Sequence, residues 1–175
     1  WARSRGLGDV YKRQSDDKLS DLLEEVENVN NGEQITYFEI LTAAYFYHAS
    51  KFKDKINIIE SGLFHRFDAT NIIDTNLSSI VTSIGLDHLD WLPKNEQNIE
   101  KIVYEKTSSL LTSNIVVGKQ SSDEILSLIK KTIKNNQSQK IVYKDQFNYS
   151  LNENGFIHYE DEYGGLKLPK PNLLG

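Results

Sequence analysis

Four short runs rich in Ile and Val set the frame for this chain: Lys55-Ile-Asn-Ile-Ile-Glu60, Ser78-Ser-Ile-Val-Thr-Ser-Ile84, Asn114-Ile-Val-Val117 and Lys140-Ile-Val-Tyr143. None alternates strictly between apolar and polar residues, which suits strands buried on both faces of a sheet. Helical spacing separates the later runs. One helix is expected from about Glu96 to Leu110, and another from about Ser122 to Asn135. The second has Ser121 and Glu124 as a capping box and Ile125, Leu128, Ile129 and Ile133 as its inward stripe. Strand, helix, strand, helix, strand predicts an α/β fold, a mostly parallel sheet with crossover helices. From Phe147 the pattern changes. Tyr149 to Leu151 and Phe156 to Tyr159 flank Asn152-Glu-Asn-Gly155, and Gly164-Gly165 turns into Leu166 to Leu168. This predicts an antiparallel hairpin add-on near the C-terminus.

Two helices precede the sheet. Leu19, Leu22, Leu23 and Val26 repeat at helical spacing from Ser15 to Val29, and Asn30-Asn31-Gly32 ends the run. Thr36 and Glu39 form a capping box for a helix reaching about Lys51. Phe38, Ile40, Leu41, Ala44, Tyr45 and Phe46 cover much of its circumference, so it is expected to be largely buried.

Residues Trp1 to Gln14 differ from the rest. They hold Arg3, Arg5 and Arg13, three of the four arginines, with Lys12 and a single acid, Asp9. The body is acidic, Lys-rich and Asn-rich, so it is more negative than the net charge of −5 suggests. Asp9-Val-Tyr-Lys-Arg-Gln14 looks like the translated end of a sequencing-library adapter, and 1–14 is read as a non-native head. A basic nucleic-acid arm or a transit peptide are the rival readings. A chain that starts at Trp1 and contains no Met is expected to be a piece of something longer.

Composition excludes several classes. With no Cys, there is no disulfide framework, thiolate metal site or cysteine nucleophile. An acidic body argues against nonspecific nucleic-acid binding. No apolar run approaches the roughly 20 residues that span a bilayer, and no apolar core of a secretory signal is present. Asn-x-Ser at Asn76, Asn136 and Asn148 fits chance in an Asn-rich chain. There is no Gly-x-x-x-x-Gly-Lys-Ser/Thr loop and no nucleophile elbow.

In open α/β sheets ligands bind beyond the carboxyl ends of the strands. Glu60 ends the first apolar run, and Asp87-His88 follow the second. A carboxylate beside an imidazole is a candidate site for a hard cation such as Mg²⁺, held through few protein ligands. The plainer alternatives are an ion pair for Glu60, a turn cap for Asp87 and a satisfied loop imidazole for His88. Between the runs lies Ser61-Gly-Leu-Phe-His-Arg-Phe-Asp-Ala-Thr-Asn71, with the body's one arginine, Arg66. That guanidinium could clamp a phosphate or carboxylate, or pair with Asp68 or Glu60. Spacing alone makes Lys106 an exposed helix lysine.

Thr36-Tyr-Phe-Glu-Ile-Leu-Thr-Ala-Ala44, Ile59-Glu-Ser-Gly-Leu63, Arg66-Phe-Asp-Ala-Thr-Asn71, Thr82-Ser-Ile-Gly-Leu-Asp-His88, Glu105-Lys106 and Leu168-Pro-Lys-Pro-Asn-Leu-Leu-Gly175 occur in fixed order. Together they resemble folylpolyglutamate synthase/dihydrofolate synthase, a branch of the Mur ligase superfamily. The resemblance covers nearly all of residues 15–175. It implies a partial central ATP-binding ligase domain, with the phosphate-binding loop upstream of Ser15 and a C-terminal domain after Gly175. It implies a cytoplasmic enzyme, a monomer, using ATP and Mg²⁺ to join L-glutamate to dihydropteroate or a folate through an acyl phosphate. No nucleic acid or membrane partner is implied. By position Glu60 and His88 look like magnesium ligands, and Lys106 like a lysine that becomes carbamylated and then serves the same site. Arg66, Asp68 and Asn71 match the substrate-side loop. The piece by itself is expected to be inactive.

Two departures stand out. The family usually has Gly-Leu-Gly-Gly-Arg where this chain has Gly62-Leu-Phe-His-Arg66, so two glycines become Phe64 and His65. If those glycines need positive φ, the loop has to be rebuilt. The family usually has Glu-Lys-Ala-Gly-Ile where this chain has Glu105-Lys-Thr-Ser-Ser109. The rival readings are a Mur-type peptidoglycan-precursor ligase and a non-catalytic ATP-binding relative.

Overall fold

The computed structural model describes residues 16–73, 76–153 and 155–169, so the head at 1–14 and the Pro-rich end from 170 lie outside the described residues. The chain divides into two units, at 1–72 and 73–175.

The first unit is built on two packed helices, α1 (Asp16–Asn30) and α2 (Tyr37–Ser50). Asn31 at φ 56 and Gly32 at φ 76 turn the chain out of α1, a left-handed exit that Asn and Gly reach most cheaply. The Thr36 hydroxyl accepts from Glu39 N, and the Glu39 carboxylate accepts from Thr36 N at 2.8 Å, completing the expected capping box. Leu41, Thr42 and Ala44 of α2 are buried, but Tyr37, Phe38 and Tyr47 are exposed. The expectation of a largely buried helix is therefore corrected. Among the described residues of this unit α1 is the one helix packed on α2, and it cannot cover a helix that is apolar around most of its circumference.

Lys55–Glu60 forms no strand, contrary to the sequence reading. Ile56 and Ile58 are exposed. An apolar run becomes a strand only where a neighbouring backbone pairs with it, and no ladder engages these residues.

In the second unit the parallel sheet does form. β1 (Ser79–Val81), β2 (Asn114–Val117) and β3 (Gln139–Val142) lie in that order. Their register aligns Val81, Val117 and Val142 in one row and Ile80, Val116 and Ile141 in the next. The first row is buried, together with Ile115. The second is not: Ile80 is 70% exposed, and Val116 and Ile141 are half-buried. Burial on both faces was expected, and one face is observed. The two crossovers run in the same direction along the sheet, and crossovers of one hand then fall on one face. These are α3 (Ile99–Thr107) and α4 (Asp123–Thr132), which pack on each other. Ile102, Val103, Leu126, Ile129 and Ile133 supply the helical side of this core. Each fully buried Ile or Val there contributes roughly 1.5–3 kcal/mol.

The cap of α4 is Ser122, whose hydroxyl accepts from Ile125 N, so the boundary falls one residue after the expected Ser121. A second sheet follows, antiparallel, with β4 (Phe147–Leu151), β5 (Phe156–Asp161) and β6 (Gly164–Pro169) in sequential order. The expected hairpin is thus one half of a three-stranded meander. It is tied to the end of β3 by the bridge between Tyr143 and Phe147 and by contacts of the Tyr143 ring with Phe147 and Tyr149.

Candidate active site

The loop after α2 organises itself around Asp68. Its carboxylate is buried. Oδ2 accepts from Gly62 N at 3.0 Å and Leu63 N at 2.7 Å, and Oδ1 accepts from Thr70 N at 2.9 Å and the Thr70 hydroxyl at 2.5 Å. Burial by itself pushes the Asp68 pKa up. The hydrogen bonds from Thr70, Leu63 and Gly62 outweigh it and hold the group below its ordinary value. A Cβ at Gly62 would collide with the tip of the Phe38 ring and stand 3.0 Å from Asp68 Oδ2, so a side chain there would force the exposed Phe38 ring to shift.

This inward carboxylate makes a frame for the residues around it. The Asn71 side chain donates to Arg66 O at 3.3 Å, and the Arg66 guanidinium lies over the Phe67 ring, 4.1 Å from its centroid. His65 Nδ1 lies 3.2 Å from the Ser61 hydroxyl. Burial lowers the His65 pKa, with Asp68 pulling the other way. Arg66, Asp68 and Asn71 therefore share one compact loop. Glu60, at its entrance, is exposed. Phe64 has φ 56, the left-handed value that a glycine would take freely, whereas His65 does not. Phe64 thus holds a left-handed turn inside the loop.

In the second unit β1 ends at Val81 and leads to Gly85-Leu-Asp-His88. His88 is exposed and sits at φ 50, ψ 30, where it opens the 3₁₀ turn Leu89–Trp91. Lys106 projects from the last turn of α3. That helix is oriented by the burial of Ile102, Val103, Glu105 and Thr107, which leaves Lys106 beside the loop after β1. Its Nζ lies 3.2 Å from Asp87 Oδ2. The two segments of the candidate metal site within this unit are thus joined directly. This pairing was not legible in the spacing of the sequence.

Sequence reasoning also missed Gln120. Its side chain is buried and bridges the ends of β1 and β2, accepting from Ile84 N at 2.9 Å and donating to Thr82 O at 3.0 Å and Gly118 O at 2.9 Å. The available signal was a polar residue two positions after Gly118, which ends β2. Nearby, Lys119, Ser121, Ser122 and Lys144 line a cavity of about 250 Å³ beyond the carboxyl ends of β2 and β3.

Among the described residues, no three His, Asp or Glu side chains form a metal-holding cluster. In the second unit the exposed His88 follows Asp87 in the chain, and the Asp87 carboxylate is engaged by Lys106. Mg²⁺ keeps several waters and takes substrate phosphate oxygens beside one or two protein ligands, so a single imidazole is a donor set of the size it uses. No helix among the described residues is long and apolar enough to cross a membrane.

A parallel sheet with crossover helices on one face and polar loops beyond its carboxyl edge defines an open α/β ligand-binding domain. In sequence and fold the chain is similar to a portion of dihydrofolate synthase/folylpolyglutamate synthases. It is 40% identical over 81 residues to the enzyme of that name from Buchnera aphidicola subsp. Acyrthosiphon pisum, covering 46% of this chain and 20% of the relative. With the enzyme from Buchnera aphidicola subsp. Schizaphis graminum it shares 36% identity over 129 residues, 71% of this chain and 29% of the relative. A bifunctional folylpolyglutamate synthase/dihydrofolate synthase from Yersinia pestis, solved with AMPPNP and Mn ion, superposes with a TM-score of 0.77 at 28% identity. That match covers 93% of this chain and 38% of the Yersinia chain. E. coli FolC, solved with DHPP and ADP, gives 0.74 at 27% identity over 93% of this chain and 38% of its own. No family model matches the chain. The chain spans between about a sixth and under a third of the length of the first curated relatives it matches.

Proposed function

We propose that the enzyme carrying this chain is an ATP-dependent, amide-forming ligase that adds L-glutamate to dihydropteroate or a folate. The observation that carries the reading is the joint match, in sequence over 71% of the chain and in fold over 93%, to dihydrofolate synthase/folylpolyglutamate synthases. In the reaction, the γ-phosphoryl group passes from ATP to the substrate carboxylate, leaving ADP and an acyl phosphate. The glutamate amine attacks the acyl carbon, the amide bond forms and inorganic phosphate leaves.

Glu60 and His88 would hold Mg²⁺, with Lys106 joining them as a carbamate. A bound Mg²⁺ would neutralise charge on the transferring phosphoryl group. The chain's own residues set the stage. Asp87 holds the Lys106 amine next to His88's loop, and carbamylation would turn that cation into a carboxylate-like donor. Asp68 fixes the loop on which Arg66 and Asn71 stand, and the Arg66 guanidinium would orient a substrate carboxylate. A cytoplasmic monomer acting on small molecules is the corresponding state.

The test is an assay of the full-length enzyme with MgATP, L-glutamate and either dihydropteroate or a UDP-muramoyl substrate. ADP release coupled to glutamylation of the pteroate supports the reading. Turnover with the UDP-muramoyl substrate alone assigns the enzyme to Mur-type chemistry, and no nucleotide turnover assigns it to the non-catalytic class.

A further inference from the structure

The parallel ladder between β1 and β2 ends with Val81 opposite Val117, and Gly118 N donates to Val81 O at 2.9 Å. Beyond that point Gln120 takes over from the backbone. A side-chain amide carries one carbonyl and one NH₂ group, the same donor and acceptor chemistry as a peptide unit. Gln120 Oε1 receives the Ile84 N–H at 2.9 Å, and Nε2 donates to the Thr82 carbonyl at 3.0 Å, as a further rung of the ladder would. Its second amide hydrogen goes to Gly118 O at 2.9 Å, which closes the clasp on β2 itself. Gln120 is 8% exposed and Ile84 4% exposed, so water cannot easily replace these bonds.

The segment held this way is three residues from Asp87 and four from His88. We infer that Gln120 is a positioning residue for the metal-side loop. It extends the sheet by one side-chain rung and so fixes where Gly85-Leu-Asp-His88 leaves it. The inference rests on the reading of His88 as a metal ligand and of Asp87 as the holder of Lys106. Gln120 reaches the metal through the loop and not by contact. Partners hydrogen-bonded directly to a metal ligand typically alter metal affinity 10–100-fold, and the low end of that range is the scale expected for Gln120, one step further out.

The test compares the unsubstituted chain, within the full-length enzyme, with Gln120→Met, which keeps the volume and removes all three hydrogen bonds, and with Gln120→Glu, which keeps the acceptor for Ile84 N–H. Backbone amide exchange is measured together with Mn²⁺ titration. Exchange at Ile84 to His88 should quicken at least about tenfold in Gln120→Met, with the amides of β2 and β3 unchanged, and the Mn²⁺ dissociation constant should rise at least about tenfold. Gln120→Glu should protect the Ile84 amide better than Gln120→Met does. Unchanged exchange at Ile84 to His88 overturns the clasp. Faster exchange with unchanged Mn²⁺ affinity overturns the positioning role and leaves a purely structural one. If the unsubstituted chain binds no Mn²⁺, the metal reading and the ligand half of this inference fall together, and exchange alone judges the clasp.

Discussion

Lys106 Nζ and Asp87 Oδ2 stand 3.2 Å apart, joining the last turn of α3 to the loop that carries His88. Both side chains are partly solvated, so the pair contributes at most about 1 kcal/mol to stability. Its value lies in placement. Lys106→Ala in the full-length enzyme should move the melting temperature by only a few degrees and lower kcat/KM more than 100-fold. Differential scanning calorimetry beside steady-state kinetics checks this. A large stability loss with activity retained would make Lys106 a structural residue.

Carbamylation adds a dependence on dissolved CO₂. The Lys106 amine must leave Asp87, lose a proton and take up CO₂ before it can act as a carboxylate-like donor. Activity of the full-length enzyme should fall in CO₂-free buffer and return with bicarbonate, and Lys106→Ala should not respond. Indifference of the unsubstituted enzyme to bicarbonate removes the carbamate from the account.

Asp68 should be a stability residue as well as a loop organiser. Asp68→Ala removes the acceptor of the part-buried amides of Gly62, Leu63 and Thr70, at a cost of about 1–3 kcal/mol. The folded-state pKa of Asp68 is lowered, so its contribution is fully present above the unfolded carboxylate value. It is lost as the pH falls through the folded value. Urea denaturation as a function of pH should show that acid limb in the unsubstituted chain and a shallower one in Asp68→Asn.

Phe64 occupies a left-handed position without the freedom of glycine. Phe64→Ala removes the ring and keeps the unfavourable backbone, whereas Phe64→Gly removes both. Phe64→Gly should therefore be the more stable of the two by about 1 kcal/mol. The reverse order in thermal melts would mean that the turn relaxes out of the left-handed region in solution.

The sequence was most legible where local pattern and tertiary context agree. Asn114–Val117 was read as a strand to the residue, because its neighbours on both sides lie within the same unit. The capping box at Thr36 needed only three residues of context. Lys55–Glu60 has the same Ile-rich composition as β2 and is not a strand, since pairing depends on a partner that composition does not encode. Burial of Ile80 was overestimated for a related reason: the face covered is decided by where the crossover helices land. The loop from Ser61 to Asn71 could be singled out from its residues, but Asp68 turning inward could not. The contacts of Lys106 with Asp87 and of Gln120 with Ile84 span 19 and 36 residues, and no periodicity reports them.

The central claim is tested most directly by the full-length enzyme supplied with dihydropteroate, L-glutamate and MgATP, with formation of the glutamylated pteroate and ADP measured together. The account predicts equal amounts of the two products, with His88→Ala and Glu60→Ala each abolishing both. Absence of the glutamylated product, or full turnover by either variant, would contradict it.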